Sequence, residues 1–183
     1  MRHRAKRTRA VTSGAIVGVI SDTHGLLRPE AIAALNGVDV IVHAGDIGSA
    51  AVLEALRQIA PVVAVRGNND RGAWAEPIPD IARTEVGGVR LFVIHDIKEL
   101  RVDPASESVD VVIHGHSHRP SVERRNRLLL VNPGSAGPRR FTLPIAVARL
   151  HLGPAGLRAK IIELSCPSPA RAVTARSRPG RGA

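Results

Sequence analysis

Tyrosine is absent from these 183 residues, and there are only one tryptophan, two phenylalanines and one cysteine. Any core must therefore be packed from Val, Ile, Leu and Ala. The lone Cys166 excludes an intramolecular disulfide and a cysteine zinc cluster. It suits a reducing compartment, and a cytoplasmic protein is expected. No apolar run approaches the length needed to cross a membrane, so no membrane partner is expected. The basic N-terminus is followed by an apolar run over 15–20, but Ser21-Asp22 ends it too early for a secretory signal. Neither G-x-G-x-x-G nor G-x-x-x-x-G-K-[ST] occurs, which argues against the common nucleotide-binding loops.

Acidic residues are scarce in one place only, the two ends. Residues 1–14 hold five basic side chains and no acid, and residues 158–183 hold six and one. The 143 residues between them carry 15 of each sign, so the net charge of +10 belongs to the ends. Residues 1–14 and 165–183 are expected to be disordered, solubilising tails. The body has no basic stripe interleaved with aromatics. Nucleic acid is therefore not expected as a partner except through the tails.

What is present is an apolar fraction of 44%, enough for one domain with a sizeable core, placed at 15–164. A-I-V-G-V-I (15–20), V-D-V-I-V-H (38–43) and P-V-V-A-V-R (61–66) read as buried strands. Helices are expected between them at 28–36, with Pro29 in the first turn, and at 49–58, with Ser49 as cap. Strand, helix, strand in repetition implies parallel pairing. After residue 80 the pattern changes to hairpins over 84–95, 121–132 and 142–164, with a further buried strand at 109–115. Two packed sheets with helices outside account for both halves.

The polar residues at the strand ends carry the chemistry. The first strand stops at Asp22 and His24, the second at Asp46, the third at Asn68. The strand from 89 stops at His95, and the strand from 109 at His116 and His118. Alone, Asp22 reads as a cap and Asn68 as a turn. Together, oxygen and imidazole donors at five strand ends point to a metal centre at the sheet edge where open α/β folds bind ligands.

The series D-T-H-G (22–25), G-D-I (45–47), G-N-N-D (67–70), I-H-D (94–96), G-H-S-H (115–118) and N-P-G-S (132–135) resembles the calcineurin-like metallophosphoesterase superfamily, in its small single-domain bacterial and archaeal branch. The resemblance implies a four-layer α/β/β/α sandwich, with two mixed sheets face to face and a two-metal site at the sheet edge. It implies that Asp22, His24 and His118 hold one ion, Asp46 bridges, and Asn68, His95 and His116 hold the other. Manganese is the first expectation, with nickel, zinc or iron as alternatives. With two divalent cations and two carboxylates the centre keeps a charge of about +2, suited to an anionic phosphate ester. The implied reaction is hydrolysis of a small phosphodiester by a hydroxide held between two metals, with Asp46, Asn68, Asn69, His116 and Arg139 as the working residues. A phosphomonoesterase, a nuclease or a non-catalytic scaffold on the same fold are the alternatives, and a homo-oligomer stays open.

Two positions depart from the family. His95-Asp96-Ile97 stands where H-G-H is common, and Asn69 stands where large phosphatases carry a proton-donating histidine. Good leaving groups such as aryl oxides are therefore expected. Arg139 is expected to pair with substrate phosphate or brace its loop, Asp70 to orient a histidine or shape a turn, and Trp74 to stack or pack locally. Deleting 1–13 and 168–183 should leave kcat/KM for a small phosphate ester almost unchanged, since both stretches lie outside every motif; a loss of about a hundredfold would show that a tail completes the site.

Overall fold

The structure, a computed structural model, describes residues 14–101, 108–140, 142–153 and 156–165. Beyond Gly14 and Ser165, the tails expected to be disordered lie outside the described residues. The first half forms two parallel units: β1 (Ala15–Ile20), α1 (Pro29–Leu35), β2 (Val40–His43), α2 (Ala50–Arg57) and β3 (Val62–Ala64). Val17 lies opposite Val40, and Ile41 opposite Val62, both in parallel register. Pro29 opens α1, where its missing N–H costs nothing. Ser49 occupies the cap position of α2, but its side chain makes no capping bond, against expectation.

The second half opens with a hairpin, β4 (Ile81–Val86) and β5 (Val89–Ile94), turning on Gly87 and Gly88 at positive φ. Then come β6 (Val111–Ile113), β7 (Ser121–Arg125) and β8 (Leu128–Asn132), followed by β9 (Ala146–Gly153) and β10 (Gly156–Glu163). One sheet runs β4-β5-β6-β8-β7, with β5, β6 and β8 mutually parallel. The other runs β10-β9-β1-β2-β3. The last hairpin thus returns to the first sheet, and β9 pairs antiparallel with β1. The burial of these two strands explains their places: β9 is largely buried, whereas β10 alternates as an edge strand should.

The two sheets face each other across an aliphatic layer. Val17, Val19, Val40 and Val42 meet Leu91, Val93, Val111, Ile113 and Val131 in one buried cluster. The opposite face of the first sheet carries α1 and α2, through Ile20, Ile41, Leu35, Leu53 and Leu56. Gly18 permits that contact, since a Cβ there would stand 2.6 Å from the Leu35 side chain. The outer face of the second sheet buries Phe92, Ile94, Val112 and Leu130 against Ile97 and Leu100. This is the α/β/β/α order, but among the described residues its fourth layer is one 3-10 turn, Ile97–Glu99.

Ile113 is wholly buried between the sheets. Ile113→Ala should cost about 2–5 kcal/mol in urea unfolding, through lost burial and the cavity it leaves. A loss below about 1 kcal/mol would mean that the layer closes over the gap.

Candidate metal centre

The parallel strands of both sheets end together, and the chain leaves each by a tight, strained turn. Seven described non-glycine residues have left-handed φ, and five are Asp22, His24, Asp46, His116 and His118. Such a conformation is uncommon outside glycine and costs of order 1–3 kcal/mol per residue, so its concentration here marks a functional site. Close approach of the loops needs glycine as well. A Cβ on Gly67 would lie 2.2 Å from Asp46, and one on Gly115 would lie 2.0 Å from Ser21 Oγ.

Asp22 is wholly buried. Its Oδ2 accepts from Ser21 Oγ at 2.7 Å and from the His116 backbone N–H at 3.1 Å. Its Oδ1 has no hydrogen-bond partner and faces His118 Nε2 at 3.2 Å. The rings of His24 and His118 stack, with Nε2 atoms 3.5 Å apart. Asp46 lies between this group and the next. Its Oδ2 is 3.9 Å from His24 Nε2 and 3.5 Å from His95 Nε2. The amide of Asn69 donates to the same oxygen at 2.6 Å, and its backbone N–H to Oδ1 at 2.9 Å. His95 Nδ1 is 2.7 Å from the Ala44 carbonyl, to which it donates, so Nε2 faces the site; that atom is buried without a hydrogen bond. Asn68 Oδ1 and His116 Nδ1 approach to 3.1 Å at the open end. A cleft of about 180 Å3 begins there, walled by Arg66, Asn68, His95, Asp96 and His116.

All seven residues expected to bind metal therefore converge. Two sets, Asp22-His24-His118 and Asp22-Asp46-His95, place one donor atom from each residue within 4.8 Å of the others. Buried carboxylate and imidazole atoms without partners, Asp22 Oδ1 and His95 Nε2, fit divalent cations. The electrostatics agree. Burial raises the Asp46 carboxyl, but bonds from His95 and Asn69 outweigh it and hold the group below the usual carboxylate range. Burial keeps His24 below its ordinary value despite the pull of Asp46 and Asp22. Burial also pulls His95 down, yet Asp46 and the Ala44 carbonyl leave it raised, so a proton competes with a cation for its free nitrogen.

The remaining expectations divide. Asp70 orients no histidine; it accepts from the backbone N–H groups of Ile47, Gly48 and Gly67 and so ties the Asp46 turn to the Asn68 turn. Trp74 packs against the cluster beneath α1 and α2. Arg139 donates to the Leu143 carbonyl at 3.3 Å, while Arg140 brings Nη2 to 3.4 Å from His24 Nε2. Its loop is bound to the first turn, since Ser135 Oγ and Gly137 N both donate to the Asp22 carbonyl.

Sequence reasoning missed three supporting residues. Buried Asn132 donates to the Gly115 carbonyl and Ser117 Oγ, fixing the loop that carries His116 and His118. His43 accepts at Nδ1 from Gly45 N–H, so its Nε2–H donates to Thr23 Oγ1, which donates to the Ile47 carbonyl. This chain joins the turn of Asp22 and His24 to that of Asp46. His43 bore the same mark as Asp22, a polar residue closing an apolar strand.

The domain profile of the calcineurin-like phosphoesterase superfamily matches residues 16–153. The chain belongs to this superfamily. A probable metallophosphoesterase of Methanothermobacter thermautotrophicus is 37% identical over 164 residues, covering 83% of this chain and 94% of that protein. A phosphodiesterase of Methanocaldococcus jannaschii is 30% identical over 136 residues, covering 64% and 82%. A solved archaeal phosphodiesterase superposes with TM-score 0.68 at 27% identity, covering 81% of this chain and 99% of that one. Vacuolar protein sorting 29 of Cryptosporidium parvum shares the fold, with TM-score 0.67 at 18% identity over 84% of this chain and all of that one. The superfamily fold takes divalent metal ions, and the donor set fits them.

Burial pushes His43 down to about 4 from 6.5. Between those values the unfolded chain binds the proton that the folded chain refuses, so stability falls as pH drops through the window, by about 3 kcal/mol at its end. Urea unfolding of chelated protein at pH 7 and 4.5 should show this decline. His43→Gln should make it shallower, and an equal decline in both proteins would acquit His43.

Proposed function

We propose that the chain is a phosphodiesterase dependent on two divalent metal ions, manganese in preference to nickel, zinc or iron, acting on small phosphate esters in the cytoplasm. The observation that carries it is the pair of buried, unpartnered atoms, Asp22 Oδ1 and His95 Nε2, on either side of the Asp46 carboxylate. In this reading Asp22, His24 and His118 hold one ion, Asn68, His95 and His116 the other, and Asp46 touches both. Bound divalent ions supply Lewis acidity toward phosphoryl oxygens and a water activated at neutral pH.

The chain's own residues do the rest. Asn69 keeps Asp46 ionised and aimed, with its amide at 2.6 Å from Oδ2. That amide is thereby occupied and gives no proton to a leaving group. Ile97 supplies none either. Arg140, at the mouth beside His24, is placed to meet a phosphate oxygen, the role first expected of Arg139. Turnover then depends on how well the leaving group departs unaided. A diester, with one charge fewer than a monoester, also meets less opposition from Asp96, which lines the cleft.

After manganese reconstitution, elemental analysis should find about two ions per chain, and Asp46→Asn should weaken both. An aryl diester such as bis-p-nitrophenyl phosphate should be turned over about a hundredfold better than an alkyl diester, the usual worth of a missing general acid. Protein that folds without taking up metal would refute the reading. Aryl monoester turnover about tenfold above the aryl diester would make it a phosphomonoesterase instead.

A further inference from the structure

His116 presents its two ring nitrogens to different partners. Nδ1 faces Asn68 Oδ1 at 3.1 Å, on the side of the proposed second ion. Nε2 faces Asp96 Oδ2 at 3.7 Å, an ion-pair distance. Asp96 directly follows His95 at the end of β5, where the H-G-H pattern has glycine and so no side chain. Its two oxygens are divided. Oδ1 accepts from the Lys98 backbone N–H at 3.0 Å and caps the 3-10 turn, leaving Oδ2 toward the imidazole. The turn is itself anchored, because Ile97 and Leu100 pack on Phe92 and Ile94 beneath the second sheet. The carboxylate therefore stands on a packed support. The His116 side chain is 43% exposed, so little else restrains its ring.

We infer that Asp96 is a positioning residue for His116: by taking the Nε2–H it fixes the ring orientation and the tautomer that leaves the Nδ1 lone pair free for the second metal ion. This rests on the reading that Asn68 and His116 hold that ion. A carboxylate behind a ligating imidazole fixes the tautomer and raises the ligand's basicity, and its loss typically weakens the metal about 10–100-fold. A glycine at this position can do neither, so the substitution that looked like a defect in the motif supplies an outer partner for a half-exposed ligand.

The test uses full-length protein and metal alone. In the zinc-loaded chain, long-range 1H–15N NMR should show His116 protonated at Nε2. Manganese titration by calorimetry should resolve two sites. Asp96→Ala should weaken one by about 10–100-fold and spare the other, with loss of the spin-coupled manganese signal in EPR at limiting metal. Asp96→Asn keeps an acceptor without the charge and should fall between Asp96→Ala and the native chain. It also serves if the alanine variant loses the 3-10 turn. If Asp96→Ala binds both ions as the native chain does, or if His116 carries its proton on Nδ1, the inference is overturned while the two-metal reading stands. If the native chain takes up only one ion, both fall.

Discussion

Two carboxylates buried side by side are the constraint around which this fold is arranged. Asp22 and Asp46 are almost wholly inaccessible, and each stands within 4 Å of imidazole nitrogens. Like charges in such a place are tolerated only if hydrogen bonds and positive charge offset the loss of water. Ser21, Asn69 and the backbone of His116 supply part of that offset. They leave Asp22 Oδ1 without a hydrogen bond, and a cation completes the account. The aliphatic layer between the sheets serves the same end: it holds the carboxyl ends of β1, β2, β5 and β6 at fixed separation, so the donors cannot drift to solvent.

Around these acids lies a ring of residues that touch one another more than they touch the site. Asp70 binds the Asp46 turn to the Asn68 turn. His43 and Thr23 bind it to the first turn, and Asn132 holds the loop of His116 and His118. Each of the loops from β1, β2, β3 and β6 is thus tied to at least one other strand end. That mutual restraint is what lets five residues keep left-handed backbone. A single free loop would relax, since the strain is comparable to the worth of one or two hydrogen bonds.

Much of this was legible in the chain, for a physical reason. An apolar run that halts at Asp22, Asp46 or His95 reports a buried strand and a polar task at its end in the same few residues. The hairpin at Gly87-Gly88 was legible because two left-handed positions in sequence have few other uses. What was not legible depends on distance in space. Nothing local to β9 says that it pairs with β1 rather than with its nearer neighbour β8. Ser49 has the right chemistry for a cap and the right position, yet its hydroxyl makes no capping bond. Arg139 and Arg140 are one residue apart, and only the path of the loop after Gly137 decides which guanidinium reaches His24. His43 was overlooked because its work is to support other residues, and its partners, Thr23 and Gly45, become visible only when the turns are folded together.

The departures from the family pattern gather on the open side of the centre. Asp22, His118 and His95 are buried, and their surroundings leave little room for change. Asn68, Asn69 and His116 are exposed, and Asp96 and Glu99 line the same cleft. Substitution there alters charge and proton supply without disturbing the packed layer, so the open rim is where the chemistry of such a site can diverge while the fold is kept. Arg140 adds a positive charge near His24, and Asp96 a negative one near His116. A mouth charged in opposite senses at its two ends does not treat all phosphate esters alike. It favours a substrate whose anionic portion lies toward His24 and whose departing group lies toward His116, and it opposes the same ester bound in reverse.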